Sequence, residues 1–327
     1  MANLLKINAT INYFIMVFIL CVMWFNKFYF MLQPSEEHLS SYFFMYEIES
    51  IIWKYCSACI ALVIYLFLAI LINRHNLKLS ILPTAYQTTG IFFLIASGFF
   101  LNTQRIIPEM LSSIFMYCAF FKLFYTYGKD YKIYNRIFDI GFLFGVSILS
   151  SHKFIFFFPL LIYIFIVIRT NFRFKELIIM LLGIFAPIVL ITSIVYLYFD
   201  YEAYVDYIKM SIIQTKIRFT VENIYVFSPI IIITIMIMIY DVCIKTAQKI
   251  FTRKIRNIFA VCNLYIIILF MTPIFNNELI ISLYVPLSFF LSKVYIKSTN
   301  IVRITLFYGL IIIVILLQII QIRSIIY

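Results

Sequence analysis

Charged residues are scarce in this chain: Asp, Glu, Lys and Arg make up 12% of its 327 residues, where a soluble domain carries about 25%. Apolar residues reach 65% and the mean hydropathy is +1.04, against about 45–50% apolar in soluble domains. A water-soluble fold of this length cannot hide so much apolar surface, whereas a bilayer accepts it directly. Histidine is scarcer still, with three in all. With no HExxH motif they leave little room for a haem or zinc site, and no metal is expected. No Walker-type phosphate loop is present, which argues against an ATP-driven motor. Internal repeats, low-complexity linkers and any stretch of soluble composition are missing too. The chain therefore reads as a single integral membrane domain over 1–327.

What charge there is has a clear pattern. The formal net charge is +12, but the basic residues sit in short clusters between apolar runs. That pattern orients a membrane protein and does not point to a nucleic-acid partner. The six cysteines all lie within apolar stretches. Cys56 and Cys59 have CxxC spacing, yet no second pair or nearby histidine supports metal or redox chemistry.

A spanning helix needs about 20 apolar residues. On that measure helices are expected near 11–32, 51–72, 81–101, 110–127, 136–150, 154–168, 177–199, 224–244, 258–275, 278–296 and 302–322. The fold class is thus all-α, a polytopic transmembrane bundle of about eleven helices. The fifth and sixth are short and separated only by Ser151-His152-Lys153, so 136–168 is either two spans or a re-entrant pair. The first apolar run lacks a small-residue cleavage site after it, so it is read as a retained helix.

The connections set the orientation. Lys6, Arg74, Lys78, Lys129, Lys132, Arg136, Arg169, Arg173, Lys175, Lys245, Lys249, Arg253, Lys254, Arg256, Lys293, Lys297 and Arg303 fall on one side. Only Arg105, Lys153, Lys209, Lys216, Arg218 and Arg323 fall on the other. The richer side is cytoplasmic by the positive-inside rule, which puts the N-terminus in and the C-terminus out. Most carboxylates, including Glu36, Glu37, Glu109, Glu202 and Asp206, then lie outside. Tyr201, Tyr204, Tyr207 and Ile208 recur at three- and four-residue spacing. That spacing predicts an amphipathic helix near 201–218 lying in the membrane interface.

Polar groups close to the membrane are the candidate chemistry. Arg105, at the outer mouth before the fourth helix, has the fork of donors that clamps a diphosphate. It can also pair with Glu109, four residues on, if the intervening turn is helical. His152 can carry a proton, and Lys153 beside it adds a cation. Glu36 and Glu37, after the first helix, can activate a hydroxyl. Lys216 and Arg218 can face lipid phosphates. Catalytic candidates are thus Glu36, Glu37 and His152, with Arg105, Lys153, Lys216 and Arg218 for a lipid diphosphate. Gln87 and Asn263 read as interhelical hydrogen-bonders.

The stretch from Arg105 to Leu190 carries Pro108-Glu109-Met110-Leu111, Phe138-Asp139-Ile140-Gly141-Phe142 with Gly145 and Ser147, Phe158-Pro159, and Gly183-Ile184-Phe185-Ala186-Pro187. It resembles a family of uncharacterised multi-pass inner-membrane proteins of Bacteroidota. The resemblance implies a bacterial inner-membrane location, without a mechanism. In layout the chain also resembles membrane glycosyltransferases and polysaccharide polymerases that use polyprenyl-linked sugars. Its Glu-Glu pair departs from the Asp-containing motif of those enzymes.

The function expected is envelope glycan or lipid-linked sugar assembly, transferase- or polymerase-like, at an outer-leaflet site. The partners expected are membrane lipids and a polyprenyl-linked sugar. A non-catalytic subunit or scaffold of an envelope complex is the alternative. A small-solute transporter, with a central cavity at Gln87 and Asn263, comes third.

Overall fold

The computed structural model describes residues 9–30, 51–82, 88–128, 133–169, 173–198, 201–213, 221–243, 250–270, 272 and 277–326. Among these there are twelve α-helices and no strand. They are α1 (Ala9–Phe30), α2 (Ile51–Leu79), α3 (Thr88–Ser97), α4 (Pro108–Phe124), α5 (Tyr134–Ser150), α6 (Phe158–Ile168), α7 (Phe174–Tyr198), α8 (Tyr201–Ile213), α9 (Val221–Cys243), α10 (Ile250–Phe270), α11 (Ile281–Lys297) and α12 (Asn300–Ile326). Short 3₁₀ turns at Leu101–Thr103, His152–Phe157 and Asn277–Ile280 lead into α4, α6 and α11. The protein is all-helical, as its apolar runs require.

Two helices form the centre. Every residue of α3 is buried, as is α11 from Ile281 to Ile296. A helix that is apolar all round has to be enclosed by others, and α1, α2, α10 and α9 pack around this pair. The outer helices behave in the opposite way. Phe14 and Phe18 of α1, Phe67 of α2, Leu182, Phe185 and Leu190 of α7, and Ile312 and Ile319 of α12 are exposed. Whole helix faces of bare Phe, Leu and Ile are stable against hydrocarbon and not against water. Three segments, Tyr55–Leu79, Phe174–Tyr198 and Asn300–Ile322, are long and apolar enough to cross a membrane by length and composition.

The described helix within the range expected over 81–101 is α3, Thr88–Ser97. The amphipathic helix expected near 201–218 is described over Tyr201–Ile213. α7, α9 and α11 continue through Pro187, Pro229 and Pro286 without breaking.

The paired segment 136–168 forms a helical hairpin beside α4. α5 bonds α4 near both of its ends, through Lys122 Nζ to Asp139 Oδ2 at 3.1 Å and Ser147 Oγ to the Ser112 carbonyl at 2.7 Å. The hairpin turns at Ser151, beside Glu109 in the first turn of α4. The return arm finishes at Arg169, whose Nη1 reaches the carbonyl of Thr126, two residues past the last turn. Both arms therefore run the length of α4, and their outer ends meet where α4 finishes.

α5 and α7 make the closest helix pair. A Cβ on Gly141 would overlap the Met180 carbonyl, one on Gly145 the Ile184 carbonyl, and one on Gly183 the Phe138 carbonyl. Small residues four apart let two apolar helices touch backbone to backbone, where dispersion rather than water release holds them.

Candidate functional site

Hydrogen bonds and charges sort to the two ends of the bundle. At the end where α4 finishes lie Lys122–Asp139 and Arg169–Glu176, with Lys254 Nζ on the Val167 carbonyl at 3.0 Å. Asp241 of α9 pairs with Lys293 of α11, with Arg256 Nε 3.9 Å from the same carboxylate. At the end where α4 begins the partners are mostly amides and hydroxyls. Gln318 Nε2 donates to the carbonyls of Met23 at 2.9 Å and Gly98 at 2.7 Å. Gln321 donates to the Phe99 carbonyl at 2.7 Å and accepts from the Leu101 N–H at 2.9 Å. Gln104 Nε2 also reaches the Met23 carbonyl, at 3.3 Å. These bonds take up backbone groups that the local turns of 98–104 leave over, such as the Gly98 and Phe99 carbonyls and the Leu101 N–H. Arg105 emerges directly from it.

The helical turn that would pair Arg105 with Glu109 is absent. Residues 104–107 are not helical, and α4 starts at Pro108, whose missing N–H and fixed φ suit that position. Glu109 instead sits in the first turn of α4, where a carboxylate complements the helix dipole. Its side chain is buried, with 2% of the residue exposed. Ser151 Oγ donates to Glu109 Oε1 at 3.5 Å. Ser151 has extended backbone (φ −144°, ψ 117°) as α5 ends, and the chain then turns through His152–Phe157.

His152 and the buried Lys153 directly follow Ser151 in this turn. Tyr204 of α8, itself buried, meets the His152 ring edge-on at 6.4 Å between centroids. Burial pushes the His152 pKa down to about 4, so this ring is neutral near pH 7. Ser151, His152 and Lys153 thus share one turn, with Glu109 on Ser151 and Tyr204 against His152. Arg105 is partly exposed at the same end, four residues before Glu109.

No protein-family model, no curated protein and no solved structure matches this chain. The residues themselves carry the functional reading. Of the sequence candidates, the structure brings His152 and Lys153 together and sets Arg105 at the same end. Glu36, Glu37, Lys216 and Arg218, like Gln87, lie outside the described residues. Asn263 is fully buried in α10, and neither its Oδ1 nor its Nδ2 has a hydrogen-bond partner among the described residues. The interhelical bond expected of it is therefore not made there. Sequence reasoning treated Glu109 only as an ion-pair partner and passed over Ser151, Tyr204, Gln318 and Gln321. The signal available for Glu109 was a carboxylate directly after Pro108 at a helix start; the glutamines of α12 carried none.

Proposed function

We propose that the protein is a multi-pass protein of a bacterial inner membrane, with about eleven crossings, N-terminus in and C-terminus out, acting in envelope glycan or lipid-linked sugar assembly. The observation that carries this reading is the buried Glu109 carboxylate bonded to Ser151, the residue directly before His152 and Lys153. Burying a carboxylate at the end of an apolar bundle costs free energy unless its partners or its chemistry offset it. In transferase chemistry an acceptor hydroxyl attacks the sugar anomeric carbon and the carbon–oxygen bond to the lipid diphosphate breaks. The hydroxyl proton passes to Glu109 as general base, and the diphosphate leaves with the bonding electron pair. Arg105 and Lys153 hold the leaving diphosphate, and His152 orders the acceptor as a neutral hydrogen-bonding ring.

The test is glycan transfer by membranes carrying Glu109→Gln, with Lys153→Gln alongside, compared at equal protein levels. Loss of transfer by on the order of a hundredfold or more for Glu109→Gln supports the base role; unchanged envelope glycans exclude it. A scaffold role is favoured by the near-complete burial of Glu109. It predicts that Glu109→Gln leaves glycans intact and instead weakens co-purification of partner subunits.

A further inference from the structure

A second feature runs along α4. Between α2 and α4 lies a shallow crevice, open along one side. Phe93 of α3 and Ile281 and Val285 of α11 make its floor. Leu68, Leu71 and His75 of α2 and Ile114 and Cys118 of α4 are half-buried along its open side. Along α4 the lining recurs at Met110, Ser113, Tyr117 and Phe121, one helix face. From Met110 to Phe121 that face is about 16 Å long at 1.5 Å per residue, half of a hydrocarbon core about 30 Å thick. The crevice is the length of one leaflet's acyl chain.

Its closed end is built by His75. The ring stacks on Phe121 at 4.5 Å between centroids and 4° between planes, and Nδ1 meets the Tyr125 hydroxyl at 2.9 Å. Just beyond it, Arg74 and Lys78 are exposed. They lie three and seven residues after the lining Leu71, so they continue the same side of α2 past the crevice. The bundle thus presents an apolar slot one chain long with two cations at the end where α4 finishes.

The geometry points to a binding site for an anionic glycerophospholipid. One acyl chain lies along the open groove between α2 and α4, and the headgroup phosphate sits against Arg74 and Lys78. Apolar lining selects a hydrocarbon chain without discriminating headgroups; the two cations supply the preference for negative charge. This site does not rest on the Glu109 cluster, and its cationic end lies at the opposite end of α4.

Native mass spectrometry of the full chain tests it, with phosphatidylglycerol and phosphatidylcholine offered in equal amounts. The parent protein is expected to retain one phosphatidylglycerol, preferred on the order of tenfold. Ser113→Phe fills the slot and is expected to lose that lipid; Ile114→Trp, at the half-exposed rim, is expected to do the same if the first variant does not fold. Arg74→Gln with Lys78→Gln changes only exposed side chains and is expected to keep one lipid while equalising the two headgroups. Retention of the lipid when the slot is filled, or an unchanged preference in the double variant, overturns the proposal. So does retention of an isoprenoid phosphate in place of phosphatidylglycerol.

Discussion

Arg169 and Glu176 close the connection between α6 and α7 with two parallel charge-assisted hydrogen bonds, Nε to Oε2 at 3.1 Å and Nη2 to Oε1 at 2.8 Å. Both side chains are about 5% exposed. Arg169 ends α6, and Glu176 lies in the first turn of α7, so the pair fixes how one helix hands over to the next. The Thr126 carbonyl, just after α4, accepts a third bond from the same guanidinium at 3.4 Å.

Removing one partner of this pair strands the other as a buried charge. Arg169→Ala is expected to destabilise by about 3–5 kcal/mol, whereas Arg169→Met with Glu176→Leu is expected to be far milder. Denaturant unfolding in a fixed detergent, followed for both variants, checks the difference. Equal losses would mean that hydrophobic packing, and not the stranded charge, sets the effect.

The contact of α5 with α7 leaves no room at Gly145, where any Cβ meets the Ile184 carbonyl and the ring of Pro187. Gly145→Leu therefore has to push the helices apart and is expected to cost about 1–3 kcal/mol or more. Gly309 of α12 faces open space, and its replacement by Ala is expected to be neutral or slightly stabilising. Thermal unfolding of the two variants in parallel separates a packing effect from a general glycine effect.

His152 makes stability depend on pH in a defined direction. Its pKa is about 4 when folded, and about 6.5 when unfolded. As pH falls below 6.5 the unfolded chain binds the proton first, so stability declines between about pH 6.5 and 4 and then levels off. His152→Gln is expected to flatten this part of the Tm-against-pH curve. An identical curve for parent and variant would remove His152 as its source.

Orientation is open to a direct chemical check. Lys209 of α8 and Arg253 of α10 are both exposed and lie on opposite sides in the proposed arrangement. In a cysteine-free background, Lys209→Cys is expected to react with an impermeant maleimide on spheroplasts. Arg253→Cys is expected to react only after the membrane is opened. The reverse pattern inverts the topology and moves the Glu109 cluster to the cytoplasm.

The sequence by itself determined the helical class and most helix positions, because apolar runs of about 20 residues admit few other structures. α1, α4, α5, α7, α9 and α12 lie close to the ranges expected from those runs. Periodic tyrosines marked α8, and Arg105, His152 and Lys153 were legible as rare polar residues beside apolar runs. Only the tertiary structure decided which helices are enclosed. The apolar runs of α3 and α12 look alike in composition, yet one is wholly buried and the other has bare faces. It also decided that the two arms of 136–168 run along α4 and back, that Glu109 meets Ser151, and that glutamines of α12 tie down the segment before α4. Those relationships join residues from 42 to 295 positions apart. Hydropathy is a local property of the chain, and a hydrogen bond depends on where separate helices come to rest against one another.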